Sequence, residues 1–252
     1  MTFSLNGKVA VITGSTKGIG RGIAEAFAEA GAKVVIVSRN QADCDAVAEA
    51  IRSDYGVESR GFAADLTKSD DIAALVRKTT DAFGRVDILV NNAGSAITKK
   101  AEDLTEEDWD RVVNLDLRAV FFTAQSFGRL MIEQKAGKII NIGSILGLVA
   151  DKQVLPYVAA KGGVLQMTKA LALEWARHGI QVNALCPGYV ITDMNRRDLE
   201  EEKVSSHLLR KIPLRRFAQI DEVTGAAVFL ASEESDYMTG QNLVIDGGWT
   251  AE

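Results

Sequence analysis

Residues 9–20 read VAVITGSTKGIG, and this stretch decides the fold. The apolar run Lys8–Thr13 has the composition of a buried strand, and apolar residues with helical spacing cover Gly20–Glu29. Glycines in the turn between them allow a tight bend and a close approach of the backbone to a pyrophosphate, whose charge the start of the helix would meet. A purely structural turn would use the same residues. The turn residues predicted to hold the pyrophosphate are Gly14, Ser15, Thr16, Lys17, Gly18, Ile19 and Gly20.

The same alternation of strand and helix continues through the chain. Further apolar runs are Lys33–Ser38, Ser59–Ala64, Val86–Asn91, Lys138–Ile142, Gln181–Leu185 and Asn242–Ile245. Helical spacing covers Cys44–Ser53 and Asp71–Ala82, and Ser69 and Thr105 are typical helix starts. Strands separated by helices predict right-handed crossovers and a parallel sheet buried on both faces. The expected fold is α/β, a Rossmann-like doubly wound parallel sheet of about seven strands, with residues 1–252 forming one dinucleotide-binding and catalytic domain.

The composition is that of an ordinary globular protein, with 47% apolar and 25% charged residues. A net charge of −5 offers no basic surface for nucleic acid or an anionic membrane, and no run approaches the length of a membrane span. Cys44 and Cys186 lie far apart without a CxxC or His-rich partner, so neither a disulfide framework nor a metal site is expected. The N-terminus lacks a signal pattern, and we expect a cytoplasmic protein.

The end of the second predicted strand, Ser38-Arg39, bears on the choice of cofactor. A NAD site usually carries a carboxylate here for the ribose 2′-hydroxyl, and this chain has none. Arg39 instead suits a charge-assisted fork around a 2′-phosphate, and Lys17 would add a second cation. The alternative is that both are solvated loop cations. The pattern favours NADP(H), with Ser38 and Arg39 beside the adenosine ribose.

The ends of the third and fourth predicted strands fit the same crevice. Asp65 and Leu66 follow the third strand, where a carboxylate can accept a hydrogen bond from the adenine amino group; a helix cap is the alternative for Asp65. The run Asn91-Asn92-Ala93-Gly94 follows the fourth, where small residues permit close contact with a ligand and a simple turn is the alternative. Predicted cofactor contacts from this run are Asn91, Ala93 and Gly94.

Tyr157 and Lys161 would add chemistry to this nucleotide site. Pro156 can open a helix, on which the two side chains then lie one turn apart on the same face. A phenol is a weak acid at neutral pH, and a nearby ammonium stabilises its phenolate. Tyr157 would thereby be poised to give a proton to a developing alkoxide or to take one from an alcohol. Taken alone, a Tyr-x-x-x-Lys pair is common on amphipathic helices and proves nothing.

Further motifs stand in one order along the chain. They are Thr13-Gly-x-x-x-Gly-Ile-Gly20, Asn91-Asn-Ala-Gly94, Asn114, Ser144, Tyr157-x-x-x-Lys161 and Pro187-Gly188. As a set they resemble the short-chain dehydrogenase/reductase family, from about Leu5 to Asp246-Gly247-Gly248.

The resemblance implies a role for each matching residue. Tyr157 would be the general acid/base, Ser144 would hydrogen-bond the substrate oxygen, and Lys161 would assist Tyr157 and hold the nicotinamide ribose. Asn114 would support a water that connects Lys161 to solvent, unless it is a buried polar residue that bonds to backbone. No metal is required. The segment over the nicotinamide would supply Pro187, Gly188, Val190 and Thr192, and the predicted substrate contacts are Ser144, Tyr157 and Tyr189.

Specificity is expected in the segment Tyr189–Pro213, which is charged and helical in pattern over Asn195–Arg210 and would form a mobile lid over a small carbonyl or alcohol substrate. Two groups within the family look similar. Reductases of 3-oxoacyl groups on acyl carrier protein have basic residues where this chain has Lys135 and His178. Gluconate 5-dehydrogenases share the strings Asn141-Ile-Gly-Ser144, Glu174-Trp-Ala176 and Pro187-Gly-Tyr189. The family usually forms tetramers, so a homotetramer is expected, with apolar surface on Trp109–Arg129 and Tyr157–Arg177.

The prediction is therefore an NADP(H)-dependent oxidoreductase that interconverts a ketone or aldehyde with an alcohol, on a 3-oxoacyl or sugar-acid type of substrate. A catalytically silent regulatory protein would bind NADPH without turning over any carbonyl. A different Rossmann-type enzyme, such as a methyltransferase, would gain no thermal protection from NADP(H).

Overall fold

Parallel strands form the centre of the computed structural model, which describes residues 3–192, 199 and 202–251. The strands are β1 (Val9–Thr13), β2 (Lys33–Ser38), β3 (Ser59–Ala63), β4 (Ile88–Asn91), β5 (Gly137–Ile142), β6 (Ile180–Pro187) and β7 (Asn242–Ile245). Their order across the sheet is β3-β2-β1-β4-β5-β6-β7, and every neighbouring pair is parallel. The predicted doubly wound parallel sheet is confirmed.

Helices cover both faces of the sheet. They are α1 (Gly18–Glu29), α2 (Gln41–Tyr55), α3 (Ser69–Phe83), α4 (Glu106–Val113), α5 (Ala119–Gln134), α6 (Leu155–Trp175), α7 (Glu202–Lys211) and α8 (Asp221–Ala231). Phe27 of α1 and Leu230 of α8 pack in one apolar layer, and Leu75 of α3 and Phe127 of α5 pack in the other. Because both faces of the sheet are covered, the strands carry almost unbroken apolar sequence.

The helix ends follow from local sequence. Thr105 caps α4 in a capping box, in which its hydroxyl accepts from the backbone N of Asp108 and the Asp108 carboxylate accepts from the backbone N of Thr105. Pro156 lies in the first turn of α6, where its missing N–H costs no helical hydrogen bond. A π-helical turn, Asn114–Arg118, joins α4 to α5. Such turns are rare and occur often at functional sites.

The direction of strand order reverses at β1, which lies between β2 and β4. In open parallel sheets, the crevice beyond the carboxyl ends of the strands at such a reversal is where ligands bind. Within the described residues, no helix is both long and apolar enough to cross a membrane.

Candidate active site

The glycine turn between β1 and α1 is fastened to the end of β4 by Asn92. Its Nδ2 donates to the carbonyl oxygens of Thr13 (2.9 Å) and Gly14 (3.1 Å), and Thr13 Oγ1 accepts from the backbone N of Asn92 at 2.9 Å. Gly14 has a φ of +64°, and a Cβ on it would lie 2.9 Å from the Cα of Ala93. Glycine is therefore needed where the turn meets the β4 loop, and the two predicted cofactor motifs form one surface. Asn92 itself was not among the predicted contacts.

The start of α1 is open to an anion. Its N-cap residue, Lys17, makes no side-chain cap hydrogen bond, and its first turn contains no acidic residue. By contrast, α4 begins with the capping box and three acidic residues. Thr192 lies over the same turn, because a Cβ on Gly18 would be 3.7 Å from the Thr192 Cβ. Backbone N–H groups without a side-chain cap, together with the positive end of the helix dipole, thus face the crevice.

The hydroxyl of Ser15 serves the protein's own backbone. Ser15 is fully buried; its Oγ donates to Ile12 O at 2.6 Å and accepts from Val37 N at 3.0 Å. These bonds tie the turn to both β1 and β2. Thr16 and Ile19 are half-buried in the same turn.

The end of β2 presents a cation to the crevice. Arg39 is exposed and forms no ion pair with any residue that the structure describes, and Lys17 is likewise exposed. Ser38 lies half-buried beside it, with its Oγ 3.2 Å from the Sγ of Cys44. A guanidinium with no carboxylate partner is suited to a phosphate.

Asp65 follows β3 and stabilises its own turn. Its Oδ1 accepts from the hydroxyl of Thr67 (2.7 Å) and from the backbone N of Thr67 (3.1 Å). The hydrogen bond from the Thr67 hydroxyl, helped by nearby Lys68, holds the pKa of the Asp65 carboxyl below its usual range. The N-cap of α3 is Lys68, so Asp65 is not the cap of that helix. Leu66, next in sequence, is buried.

The side chain of Asn91 points into the protein. Its Nδ2 donates to Asn141 Oδ1 at 2.9 Å, and Asn141 Nδ2 donates to Thr168 Oγ1 at 2.9 Å. This buried polar chain ties β4, β5 and α6 together. Ala93 and Gly94, half-buried and exposed respectively, are the members of this motif that reach the crevice.

Three predicted catalytic side chains meet at the carboxyl end of β5. Ser144 follows that strand, and its Oγ accepts from the backbone N of Leu146 at 3.0 Å. Lys161 Nζ donates to Ile142 O at 2.8 Å and lies 5.4 Å from the centre of the Tyr157 ring. Lys161 is only 4% exposed, so little water surrounds its ammonium. The charge therefore acts strongly on the groups next to it. No acceptor among the described residues takes the Ser144 proton, which leaves it available to a ligand oxygen.

Asp116, which was not predicted as a site residue, faces the lysine from the π-helical turn. Its Oδ2 is 3.7 Å from Lys161 Nζ, and both side chains are buried. Asn114 begins that turn, and its carbonyl oxygen accepts from the backbone N of Ala119. A signal for Asp116 existed, since it is a lone carboxylate between the apolar residues Leu115 and Leu117.

Tyr189 forms part of an aromatic wall after β6. Its ring centre is 5.1 Å from that of Trp249 and 6.4 Å from that of Phe217. Burial, reinforced by the nearby Asp151 carboxylate and Tyr157, raises the pKa of Tyr189 to about 12. It therefore stays a neutral phenol near Tyr157.

The last residue of α7, Lys211, lies against this wall. Lys211 Nζ lies 3.6 Å from the Asp151 carboxylate and 5.1 Å from the centre of the Trp249 ring. Of the segment predicted as a lid, residues 193–198 and 200–201 lie outside the described residues. Of the helical pattern predicted over Asn195–Arg210, residues 202–210 fall in α7.

The two cysteines, Cys44 and Cys186, are not paired with each other. Cys44 and Cys186 are free and buried, and burial raises the pKa of the Cys186 thiol to about 11. In the part of the chain that the structure describes, no group of three or more His, Cys, Asp or Glu side chains could hold a metal ion.

The basic pair Lys135 and His178 lies elsewhere. Lys135 ends α5 just before β5 begins, and His178 precedes β6 in the same way. Both are therefore at the amino edge of the sheet, the edge opposite to Ser144 and Pro187. They do not line the crevice beside Tyr157. The likeness to carrier-protein reductases at these two positions therefore does not concern this pocket.

Comparison with known proteins identifies the family. A family model described as enoyl-(acyl carrier protein) reductase matches residues 14–250. A 2-dehydro-3-deoxy-D-gluconate 5-dehydrogenase of Escherichia coli is 41% identical, over 99% of this chain and 98% of that protein.

Solved structures agree. A gluconate 5-dehydrogenase from Burkholderia cenocepacia J2315, in complex with NADP and tartrate, has a TM-score of 0.96 and 39% identity, covering 99% of this chain and 98% of that one. A short-chain type dehydrogenase/reductase from Mycobacterium marinum has a TM-score of 0.93 and 36% identity, with coverage of 99% and 98%. The chain belongs to the short-chain dehydrogenase/reductase family.

Proposed function

We propose that the chain is an NADP(H)-dependent oxidoreductase that interconverts a ketone and a secondary alcohol on a sugar acid, with Tyr157 moving the proton. The observation that carries the proposal is the buried Lys161 ammonium, held by Ile142 O beside the Tyr157 ring and next to Ser144. The relatives named for gluconate and 2-dehydro-3-deoxy-D-gluconate support the substrate class.

The residues at the crevice fit NADP(H). The uncapped start of α1 would hold the pyrophosphate, and the absence of a Cβ at Gly14 lets the turn close against the β4 loop. Arg39, without a carboxylate partner among the described residues, would bind the 2′-phosphate. Thr192 and Gly18 would border the nicotinamide end. When bound, the nicotinamide supplies or accepts the hydride.

The protein's own side chains would handle the proton and the oxygen. Ser144 accepts a backbone N–H, so its O–H is free to donate to the substrate oxygen and stabilise charge that develops there. Tyr157 would donate its proton to the alkoxide in reduction and remove the alcohol proton in oxidation. The Lys161 ammonium would stabilise the phenolate that reduction leaves behind.

The substrate pocket would be closed by the lid segment Tyr189–Pro213. Two contacts support this role, both made by Lys211 across the opening: one with Asp151 and one with Trp249. Closure would exclude water from the reacting carbon and hold the substrate against Ser144. Tyr189 would form the apolar floor of this pocket.

A homotetramer is also part of the proposal. Large apolar side chains lie exposed at neighbouring places on α4, α6 and the turn before α6, with Trp109 40% and Leu155 46% exposed. Leu148 and Val149 are also exposed, at 44% and 38%. Exposed apolar surface of this kind typically marks an interface between subunits. The cytoplasmic location expected from the sequence remains a prediction.

The direct test is a screen of the purified protein that follows NADPH absorbance. The panel contains keto sugar acids, β-ketoacyl thioesters, simple ketones and aldehydes, and each alcohol is assayed with NADP in reverse. We expect turnover with keto sugar acids, and loss of at least about a thousandfold in kcat for Tyr157→Phe with NADPH affinity unchanged.

The matched control is Tyr55→Phe, which alters a tyrosine at the end of α2 far from the crevice and should keep full activity. Turnover confined to β-ketoacyl thioesters would overturn the substrate class. NADPH binding without turnover on any carbonyl would show a regulatory protein instead.

A further inference from the structure

Asp116 is a completely buried carboxylate that the proposed chemistry does not use. Its Oδ1 accepts from the backbone N of Ser95 at 2.8 Å. Its Oδ2 has no hydrogen-bond partner among the described residues and lies 3.7 Å from Lys161 Nζ. Burying a carboxylate is costly unless an opposite charge compensates it, and Lys161 is the cation that this oxygen faces.

The Lys161 ammonium is held from two directions. Ile142 O accepts one of its hydrogens at 2.8 Å, and Asp116 Oδ2 attracts the ammonium from the π-helical turn. The lysine side chain is 5% exposed, so water does little to screen this attraction. An ammonium has three donors, so it has capacity beyond Ile142 O and Asp116, and the centre of the Tyr157 ring lies 5.4 Å from Nζ. The carboxylate thus fixes where the ammonium sits relative to the phenol.

The loop after β4 closes on the same carboxylate. A Cβ on Gly94 would lie 2.8 Å from Asp116 Oδ2, so a larger residue there would force the carboxylate or the loop to shift. Ser95, next in sequence, donates to the other carboxylate oxygen. Asp116 therefore joins the proposed cofactor loop to the lysine.

We propose that Asp116 is a positioning residue that holds the Lys161 ammonium in place beside Tyr157, and thereby affects the rate of proton transfer more than the affinity for NADP(H). The inference rests on the function proposed for Tyr157 and Lys161. Other titratable groups near Lys161 are Tyr157 on α6 and Cys186 on β6. The Cys186 thiol stays neutral at ordinary pH because burial raises its pKa to about 11. Among the described residues, Asp116 is the carboxylate within 4 Å of Lys161 Nζ. Burial raises the pKa of the Asp116 carboxyl while the Lys161 ammonium beside it acts to lower it, so the negative charge of Asp116 depends on the lysine.

The test is Asp116→Asn, which keeps the shape and the acceptor for Ser95 but removes the charge. We expect kcat to fall roughly 10- to 100-fold while the Kd for NADPH stays within about threefold of wild type. The pH dependence of kcat should also differ from that of wild type, because the variant removes the negative charge that faces the lysine. The measurements are kcat and KM over roughly pH 6–10, NADPH fluorescence titration and the melting temperature.

Thr123→Val is the matched control. Thr123 is a buried residue of α5 whose hydroxyl also lacks a partner among the described residues, and the change should leave kcat and the pH profile unaltered. Wild-type kcat and pH profile in Asp116→Asn would overturn the proposal. So would a parallel fall in kcat, NADPH affinity and melting temperature with an unmoved pH profile, because a purely structural role gives that result.

If Asp116→Asn does not fold, the proposal is tested by comparing Lys161→Met with the double variant Lys161→Met/Asp116→Asn. Equal residual turnover in the two would support the proposal, since without the lysine the carboxylate has nothing to position. A further loss of turnover in the double variant would overturn it. The proposed function fails separately, if wild type turns over no carbonyl or Tyr157→Phe keeps its activity.

Discussion

At the scale of single residues, Arg39 is the side chain proposed to decide between the two nicotinamide cofactors. It is exposed at the end of β2, with no ion pair to a described residue. A 2′-phosphate would gain a charge-assisted hydrogen bond from it, whereas a 2′-hydroxyl would gain little.

Arg39→Asp should therefore shift preference from NADP(H) toward NAD(H). A hydrogen bond to a charged group contributes about 1.5–3 kcal/mol, so the ratio of kcat/KM for the two cofactors should change by roughly 10- to 100-fold or more. Arg77→Asp, which makes the same charge change on the exposed surface of α3, should leave the ratio unaltered. A ratio that moves less than about threefold in Arg39→Asp would contradict the assignment.

Cys186 gives a prediction for stability at alkaline pH. Burial raises the pKa of its thiol from 9.0 in the unfolded chain to about 11 in the fold. The unfolded chain loses this proton first, so the stability linked to it is complete below about pH 9 and is lost as the pH rises through about 11.

Cys186→Ala removes this linkage. Between about pH 8 and pH 11, the free energy of unfolding should fall by roughly 2 kcal/mol less in the variant than in wild type, measured by urea unfolding at both pH values. Taking the difference across pH cancels the cavity that the substitution leaves. An equal fall in both proteins would show that the thiol does not contribute.

At the scale of elements, α7 and the turn that follows β5 come together through Lys211. Its ammonium meets the Asp151 carboxylate at 3.6 Å while lying over the Trp249 ring. A half-exposed ion pair contributes little to folding, about 0.2–1 kcal/mol, so in the proposed lid its effect would lie in substrate closure.

Lys211→Ala should raise the KM for the sugar-acid substrate about two- to fivefold, with kcat and NADPH affinity nearly unchanged, because the lid closes less completely. Arg210→Ala removes the neighbouring cation of α7 and serves as the control. The measurement is steady-state kinetics at saturating NADPH. Equal KM values in the two variants would remove Lys211 from the lid.

The strands and helices were predictable from the sequence. Strands buried on both faces must be apolar, and helices that pack on the sheet must have apolar residues three or four positions apart. Strands β2 and β7 have the predicted bounds, and Thr105 caps α4 as its position indicated. Side-chain direction was not predictable in the same way. Nothing local in the sequence shows that Asn91 bonds across the sheet to Asn141, or that Ser15 is engaged between β1 and β2.

The site was predicted where a local motif exists and missed where a contact spans the fold. Tyr157 and Lys161 share one helix, so their spacing suffices to place them together. Asp116 meets Lys161 only after α6 packs on the π-helical turn, and Trp249 reaches Tyr189 only through the C-terminal turn. Lys135 and His178 illustrate the reverse, since sequence position alone did not show that they sit at the opposite edge.

At the scale of the whole molecule, the proposed tetramer has a testable origin in exposed apolar side chains. The wild-type protein should sediment with a mass near four times 27.1 kDa. Trp109→Lys places a charge in the apolar surface formed with Leu155 and should yield smaller species.

Tyr237→Lys is the control for this experiment, because Tyr237 is fully exposed near β7 and away from that surface. Sedimentation velocity distinguishes the species over a range of concentrations. A wild-type monomer, or an unchanged mass for Trp109→Lys, would show that this surface does not join subunits.

The hydrogen bonds from Asn92 to the glycine turn also set the order in which the site is completed during synthesis. They join residues 79 and 78 positions apart in the chain. A nascent chain that has emerged only as far as β3 therefore carries a glycine turn that Ser15 ties to β1 and β2 but that Asn92 does not yet fasten, so the site for the dinucleotide is incomplete. The turn can be fastened only once β4 lies beside β1, and Lys161 can reach Ile142 O only once α6 has been made.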